Sequence, residues 1–182
     1  MSRSIRLLLV ALLALTGAAV AVPAAATEGY CGLGWGSSAK SAPALGQAPV
    51  LSSRTGRDAC WDRVVFELDG PAAGYAVSFV DEVVQDGSGA TLPVPGGARL
   101  QVQLHHPAYD VTGTATYPHR VGERVADVAG YPTLRSVVYG GSFEGYTTFG
   151  VGTRARLPFR VVTLAGPGGH ARIVLDVAHR WS

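Results

Sequence analysis

The sequence predicts an all-β protein: a single-domain β-sandwich of about seven to eight mostly antiparallel strands, with an irregular N-terminal segment tied on by a disulfide. Three observations carry this reading. Apolar and polar residues alternate with a period of two in several short runs. Gly, Pro, Asp and Ser clusters separate those runs. No window of helical length carries an apolar stripe at the helical spacing.

Taken in order, the chain begins with Arg3 and Arg6, an apolar run from Leu7 to Val22, and the small residues Ala24-Ala25-Ala26. That is the layout of a secretory signal peptide over residues 1–26. The run is short for a membrane span and ends at Pro23, so no span is expected after cleavage, and no Cys follows the cleavage site to carry a lipid. Residues 27–56 are rich in Gly, Ser, Ala and Pro and read as an irregular leader, with Trp35 as a packing anchor. The folded domain is placed at residues 57–182. Two cysteines, Cys31 and Cys60, form a lone pair that an exported chain most simply oxidises to a disulfide.

The strand signals then follow. In 63–69 Val64, Phe66 and Leu68 share one face, and in 74–83 Tyr75, Val77 and Phe79 do. In 98–106 Leu100, Val102 and Leu104 alternate with Arg99, Gln101, Gln103 and His105. Residues 133–140, 146–151 and 159–166 are β-branched and aromatic, and 172–181 sets Ile173, Leu175 and Val177 against Arg172 and Asp176. Turn clusters lie between them. Residues 107–131 carry no clear period and read as a long excursion. Within GGSFEGYTTFGVG, residues 140–152, the segment Ser142-Phe143-Glu144-Gly145 reads as a tight turn with Gly145 at positive φ. Gly150 and Gly152 then let the returning strand twist or bulge.

Composition narrows the function. Removing Arg3 and Arg6 with the signal leaves 13 basic against 13 acidic residues. A neutral domain lacks the charge to hold nucleic acid. No nucleophile elbow or phosphate loop is present, and no cofactor is expected. Adjacent strand residues point to opposite faces, so His105 and His106 do not converge on one metal ion; the histidines read as surface or sheet-end groups, and no metal site is expected. The cluster Arg57-Asp58-Ala59-Cys60-Trp61-Asp62-Arg63 reads as ion pairs that lock the disulfide to the first strand. A ligand strip is expected on exposed Arg135, Tyr139, Glu144, Tyr146 and Arg154, because guanidinium groups match carboxylates and aromatic faces stack on sugars.

Four phrases carry a resemblance: DACWDRVVFEL at 58–68, GYAVSFVDEV at 74–83, GGSFEGYTTFGVG at 140–152 and FRVVTLAGPGGHARIVLDVAH at 159–179. Together they resemble the AMIN-like domain of secreted actinobacterial proteins and lipoproteins, which is related to the peptidoglycan-associated AMIN domain. The resemblance implies a two-sheet sandwich that acts as a targeting module. The expectation is a secreted, extracellular, non-enzymatic module bound to cell-wall polymer or an envelope protein. The alternative is a small secreted hydrolase acting on cell-wall glycan or peptide.

Overall fold

The computed structural model describes residues 30–181; the expected signal at 1–26 lies outside the described residues. Eleven strands run in chain order: β1 (Lys40–Ala42), β2 (Val50–Arg57), β3 (Trp61–Leu68), β4 (Gly74–Val80), β5 (Val83–Val84), β6 (Thr91–Leu92), β7 (Ala98–His105), β8 (Leu134–Phe143), β9 (Tyr146–Thr153), β10 (Phe159–Ala165) and β11 (Ala171–Ala178). Eight of them have seven residues or more; seven of these fall on the runs the sequence marks as strands, and the eighth, β2, does not. A five-stranded sheet has the order β1-β4-β7-β9-β8, a four-stranded sheet the order β10-β11-β3-β2, and β5 pairs with β6. Every pairing is antiparallel.

The period of two drives the layering. Val64, Phe66 and Leu68 of β3 and Ile173, Leu175 and Val177 of β11 meet Leu100, Val102 and Leu104 of β7, Val137 of β8, and Phe149 and Val151 of β9 in one core. Phe66 and Phe149 touch across the sheets with ring centroids 4.6 Å apart. Each such side chain stabilises the fold by roughly 1.5–3 kcal/mol through burial.

Residues 40–42 and 50–56 lie inside the stretch read as irregular, yet they form β1 and all of β2 but its last residue. β2 hides its pattern because its register shifts at a bulge between Val50 and Ser52, and because most of its side chains are polar. The Cys31–Cys60 disulfide ties the segment down. The loop that it closes, between cysteines with a sequence separation of 29, is worth roughly 3.5 kcal/mol in the chain-entropy account. Trp35 packs beside it against Trp61, with centroids 5.5 Å apart.

The excursion at 107–131 closes one flank of the sandwich. Its Tyr117 enters the core and shares a 2.6 Å hydrogen bond with Ser53 of β2. Its 122–125 segment lies along β8: Gly122 N–H donates to the Tyr139 carbonyl, Tyr139 N–H to the Glu123 carbonyl, and Val125 N–H to the Val137 carbonyl.

The glycine-rich stretch is the β8–β9 hairpin. Phe143 pairs with Tyr146, and the two loop residues, Glu144 (φ 47) and Gly145 (φ 84), are both left-handed, as a primed hairpin turn requires. The register shifts fall on β8, between Leu134 and Ser136 and between Tyr139 and Gly141. Gly150 and Gly152 have a different task from bending β9. A Cβ on Gly150 would overlap Val94, and one on Gly152 would overlap the Pro95 carbonyl oxygen. Their bareness lets the 83–95 segment lie on the outer face of the five-stranded sheet, where Val83, Leu92 and Val94 pack with Val138.

Candidate binding face

The outer face of the four-stranded sheet gathers the most organised polar chemistry among the described residues. Its side chains are those that β3, β10 and β11 turn away from the core. The strand registers set them in rows: Arg160, Asp176, Arg63 and Gly56; Val162, Val174, Val65 and Arg54; Leu164, Arg172, Glu67 and Ser52. Asp176 therefore has an arginine directly opposite on each side. Arg63 Nε and Nη2 donate to its two oxygens at 2.6 and 2.8 Å. Arg160 Nε donates to Oδ2 at 3.0 Å.

Asp176 has no exposed surface, whereas the Arg63 and Arg160 side chains keep 35% and 38% of theirs. The carboxylate is thus the buried anchor, and the guanidinium groups lie at the solvent boundary. The Asp176 hydrogen bond raises the already high pKa of Arg63, so this cation is permanent. Arg160 also lies over the Trp35 ring at 4.4 Å and the Trp61 ring at 5.3 Å. The half-buried indoles hold its plane in place, a geometry that favours bidentate recognition of carboxylates. Beyond them Arg54 pairs with Glu67 at 2.7 Å. Four arginines against two carboxylates leave this face positive. Val65 and Val174 are buried on it, although they face away from the core; their place between charged rows fits cover by the aliphatic stems of those side chains.

The charges of the 57–63 cluster do not form the ion pairs with one another that the sequence suggests; apart from Asp58 they bond to groups outside it. Asp58 Oδ1 accepts from Cys60 N–H, and Arg57 donates to the Gly130 carbonyl. Asp62 is wholly buried and accepts from Thr133 N–H (2.6 Å), Leu134 N–H (2.9 Å) and His179 Nε2–H (3.0 Å). It pins the start of β8 to the opposite sheet.

The expected strip is not one site. Arg135 and Arg154 lie at one end of the β8–β9 hairpin and Glu144 and Tyr146 at the other. Arg135 spends its guanidinium on the carbonyls of Tyr131, Pro132 and Leu134. Arg154 caps the His179 carbonyl. Tyr146 packs edge-on against His105. Tyr139 is 7% exposed and belongs to the core with Tyr117 and Phe149, because its β8 position faces inward; it does not reach a surface ligand. Arg135 does border an open cleft of about 590 Å³ with Arg124, Asp127 and Tyr131. Burial also corrects the surface reading of the histidines at His106. That ring is wholly buried, donates from Nδ1 to the Ala48 carbonyl (2.8 Å) and accepts at Nε2 from Ala73 N–H (2.9 Å).

Among the described residues no three His, Cys, Asp or Glu side chains stand together as a metal centre, and no helix is long and apolar enough to cross a membrane. The sequence reading missed Trp35, Trp61, Arg63, Arg160 and Asp176 as a group. Alternation alone separates Arg63, Arg160 and Asp176 from the core face, but only the register sets them side by side. The family model described as the AMIN-like domain matches residues 48–179. No curated protein matches the chain.

Proposed function

The chain belongs to the AMIN-like domain family, and from that premise we propose that it is an exported, non-enzymatic module that holds peptidoglycan against the outer face of its four-stranded sheet. The observation that carries the reading is the Arg63–Asp176–Arg160 cluster beside Trp35 and Trp61. Peptidoglycan offers what such a face recognises: sugar rings for the indoles and carboxylates for the guanidinium forks. A sheet face is flat and lies along a polymer, where a catalytic cleft would enclose one bond. The disulfide suits an oxidising compartment outside the cytoplasm, and residues 1–26 supply the export signal in this reading.

Co-sedimentation with purified, insoluble peptidoglycan tests it. The protein is expected in the pellet at moderate salt. Replacing Trp35 and Arg160 with Ala removes one stacking and one charged anchor, each worth about 1–2 kcal/mol, and is expected to cut retention at least about tenfold. A protein that stays in the supernatant sinks the proposal. Release of soluble sugars or peptides from the same material would instead mark a hydrolase.

A further inference from the structure

One edge of the sandwich is built to be paired and has no partner strand among the described residues. In the four-stranded sheet β10 neighbours only β11. Gly166 N–H bonds the His170 carbonyl (2.7 Å) and Ala178 N–H bonds the Pro158 carbonyl (2.9 Å). Both pairs continue the register that sets Phe159 against Val177 and Ala165 against Ala171. Antiparallel alternation then turns the backbone groups of Arg160, Val162 and Leu164 toward β11, and those of Val161, Thr163 and Ala165 outward. Phe159 belongs to the outward set, and its N–H indeed meets the Gly36 carbonyl at 3.1 Å. Beyond Phe159 no backbone group among the described residues reaches this edge. The Ala165 carbonyl accepts from Arg172 Nη2 at 3.1 Å and keeps a second lone pair.

Natural sheets protect such an edge with charge, proline or a bulge. Residues 161–165, Val-Val-Thr-Leu-Ala, contain no charge and no proline, and their register is unbroken. The long edge strands elsewhere are treated differently. β2 and β8 each carry a bulge. The 107–131 excursion covers both, through Tyr117 on Ser53, Tyr131 on Thr55 and the 122–125 segment on β8.

We propose that the β10 edge pairs with the β10 edge of a second copy of this chain, antiparallel about a two-fold axis at Thr163. The segment is complementary to itself in that register. Val161 faces Ala165 of the other copy, and Thr163 faces Thr163, with about six main-chain hydrogen bonds in all. On the outer face Val162 meets Leu164 of the other copy, two apolar side chains of which Leu164 is 40% exposed in the single chain. Arg160 falls opposite Gly166, so no charge meets a like charge. The two four-stranded sheets become one, and both Arg160 clusters look out from the same side, roughly 20 Å apart along the strand direction. The contact is small, so the dimer is weak and depends on concentration.

Sedimentation equilibrium of the purified protein, without glycan, tests the pairing independently of the binding function. The sheet pairing sets position 162 opposite 164 of the other copy, so two double variants separate it from any other association. Val162→Lys with Leu164→Lys puts like charges opposite each other and is expected to weaken dimerisation at least about tenfold. Val162→Lys with Leu164→Glu puts opposite charges there and is expected to keep it. Far-ultraviolet circular dichroism checks that both variants remain folded. A wild-type protein that is monomeric up to about 1 mM overturns the proposal. So do two folded variants that dimerise equally, because sign complementarity would then be irrelevant.

Discussion

At Asp176 a carboxylate without exposed surface is held by two arginines that keep about a third of theirs. Taking away one partner leaves the buried charge half-compensated, which costs more than losing a surface ion pair. Arg63→Met is therefore expected to lower stability by about 2–3 kcal/mol, read as a shift in the urea midpoint at constant slope. His106 is the second residue whose burial matters. Burial lowers its pKa from 6.5 against the raising pull of the Ala48 carbonyl, with a smaller lowering by neighbouring His105. Its Nε2 accepts a backbone N–H, so only the neutral ring fits the fold. The unfolded chain then binds the proton more readily than the folded one. The His106 contribution is whole above about pH 6.5, declines as pH falls from there toward the lowered folded value, and is flat below it. His170 and His179 face Asp69 and Asp62, so the contribution is read as the difference between wild type and His106→Gln. That difference is expected to shrink between pH 7.5 and pH 5, by urea denaturation. Neither feature was legible one residue at a time. His106 sits just past a strand whose alternation stops at His105, and Tyr139 looked exposed because the β8 register shift between Leu134 and Ser136 moves Val137 and Tyr139 to the core face.

At the scale of elements, alternation succeeded where one face is apolar and one is wet. β3, β7 and β11 announce themselves that way. It failed for β2, whose mostly polar residues are set in register by a bulge and by contacts from the excursion. It also gave the wrong reason for two glycines. Gly150 and Gly152 alternate with Phe149 and Val151, so they mark the outer face of β9, and the 83–95 segment rests there. The two sites differ in what a methyl group would strike. At Gly150 it meets a side-chain methyl of Val94; at Gly152 it meets, at closer range, a backbone carbonyl oxygen that no rotamer change can move. Gly152→Ala is accordingly expected to cost about 2–3 kcal/mol and Gly150→Ala clearly less, compared by thermal and urea unfolding. Equal costs would mean that the segment moves freely over the sheet.

For the whole molecule, the sequence carried the architecture further than the site. The sandwich needs only the right period and the right turns, and both are written locally. A binding face on a sheet depends on which strands are neighbours, and β3 neighbours β11 across more than a hundred residues of chain. Asp62 and Thr133, Arg63 and Asp176, and Cys31 and Cys60 are all long-range partners of this kind. The family match supports the function that the face is proposed to serve, and the face in turn offers residues on which to test it.

The aromatic ring of Tyr30 lies under the Arg180 guanidinium at 4.2 Å, and its hydroxyl reaches the Ala59 carbonyl. The described chain thus enters and leaves at one pole, while the Glu144–Gly145 turn caps the other. Such proximity permits the order of the polypeptide to be rewired. A circular permutant that joins residue 181 to residue 30 through a short Gly-Ser bridge and opens between Glu144 and Gly145 is expected to fold with an unchanged circular dichroism spectrum. If it does not, the β8–β9 hairpin must close first for the remaining strands to find their places.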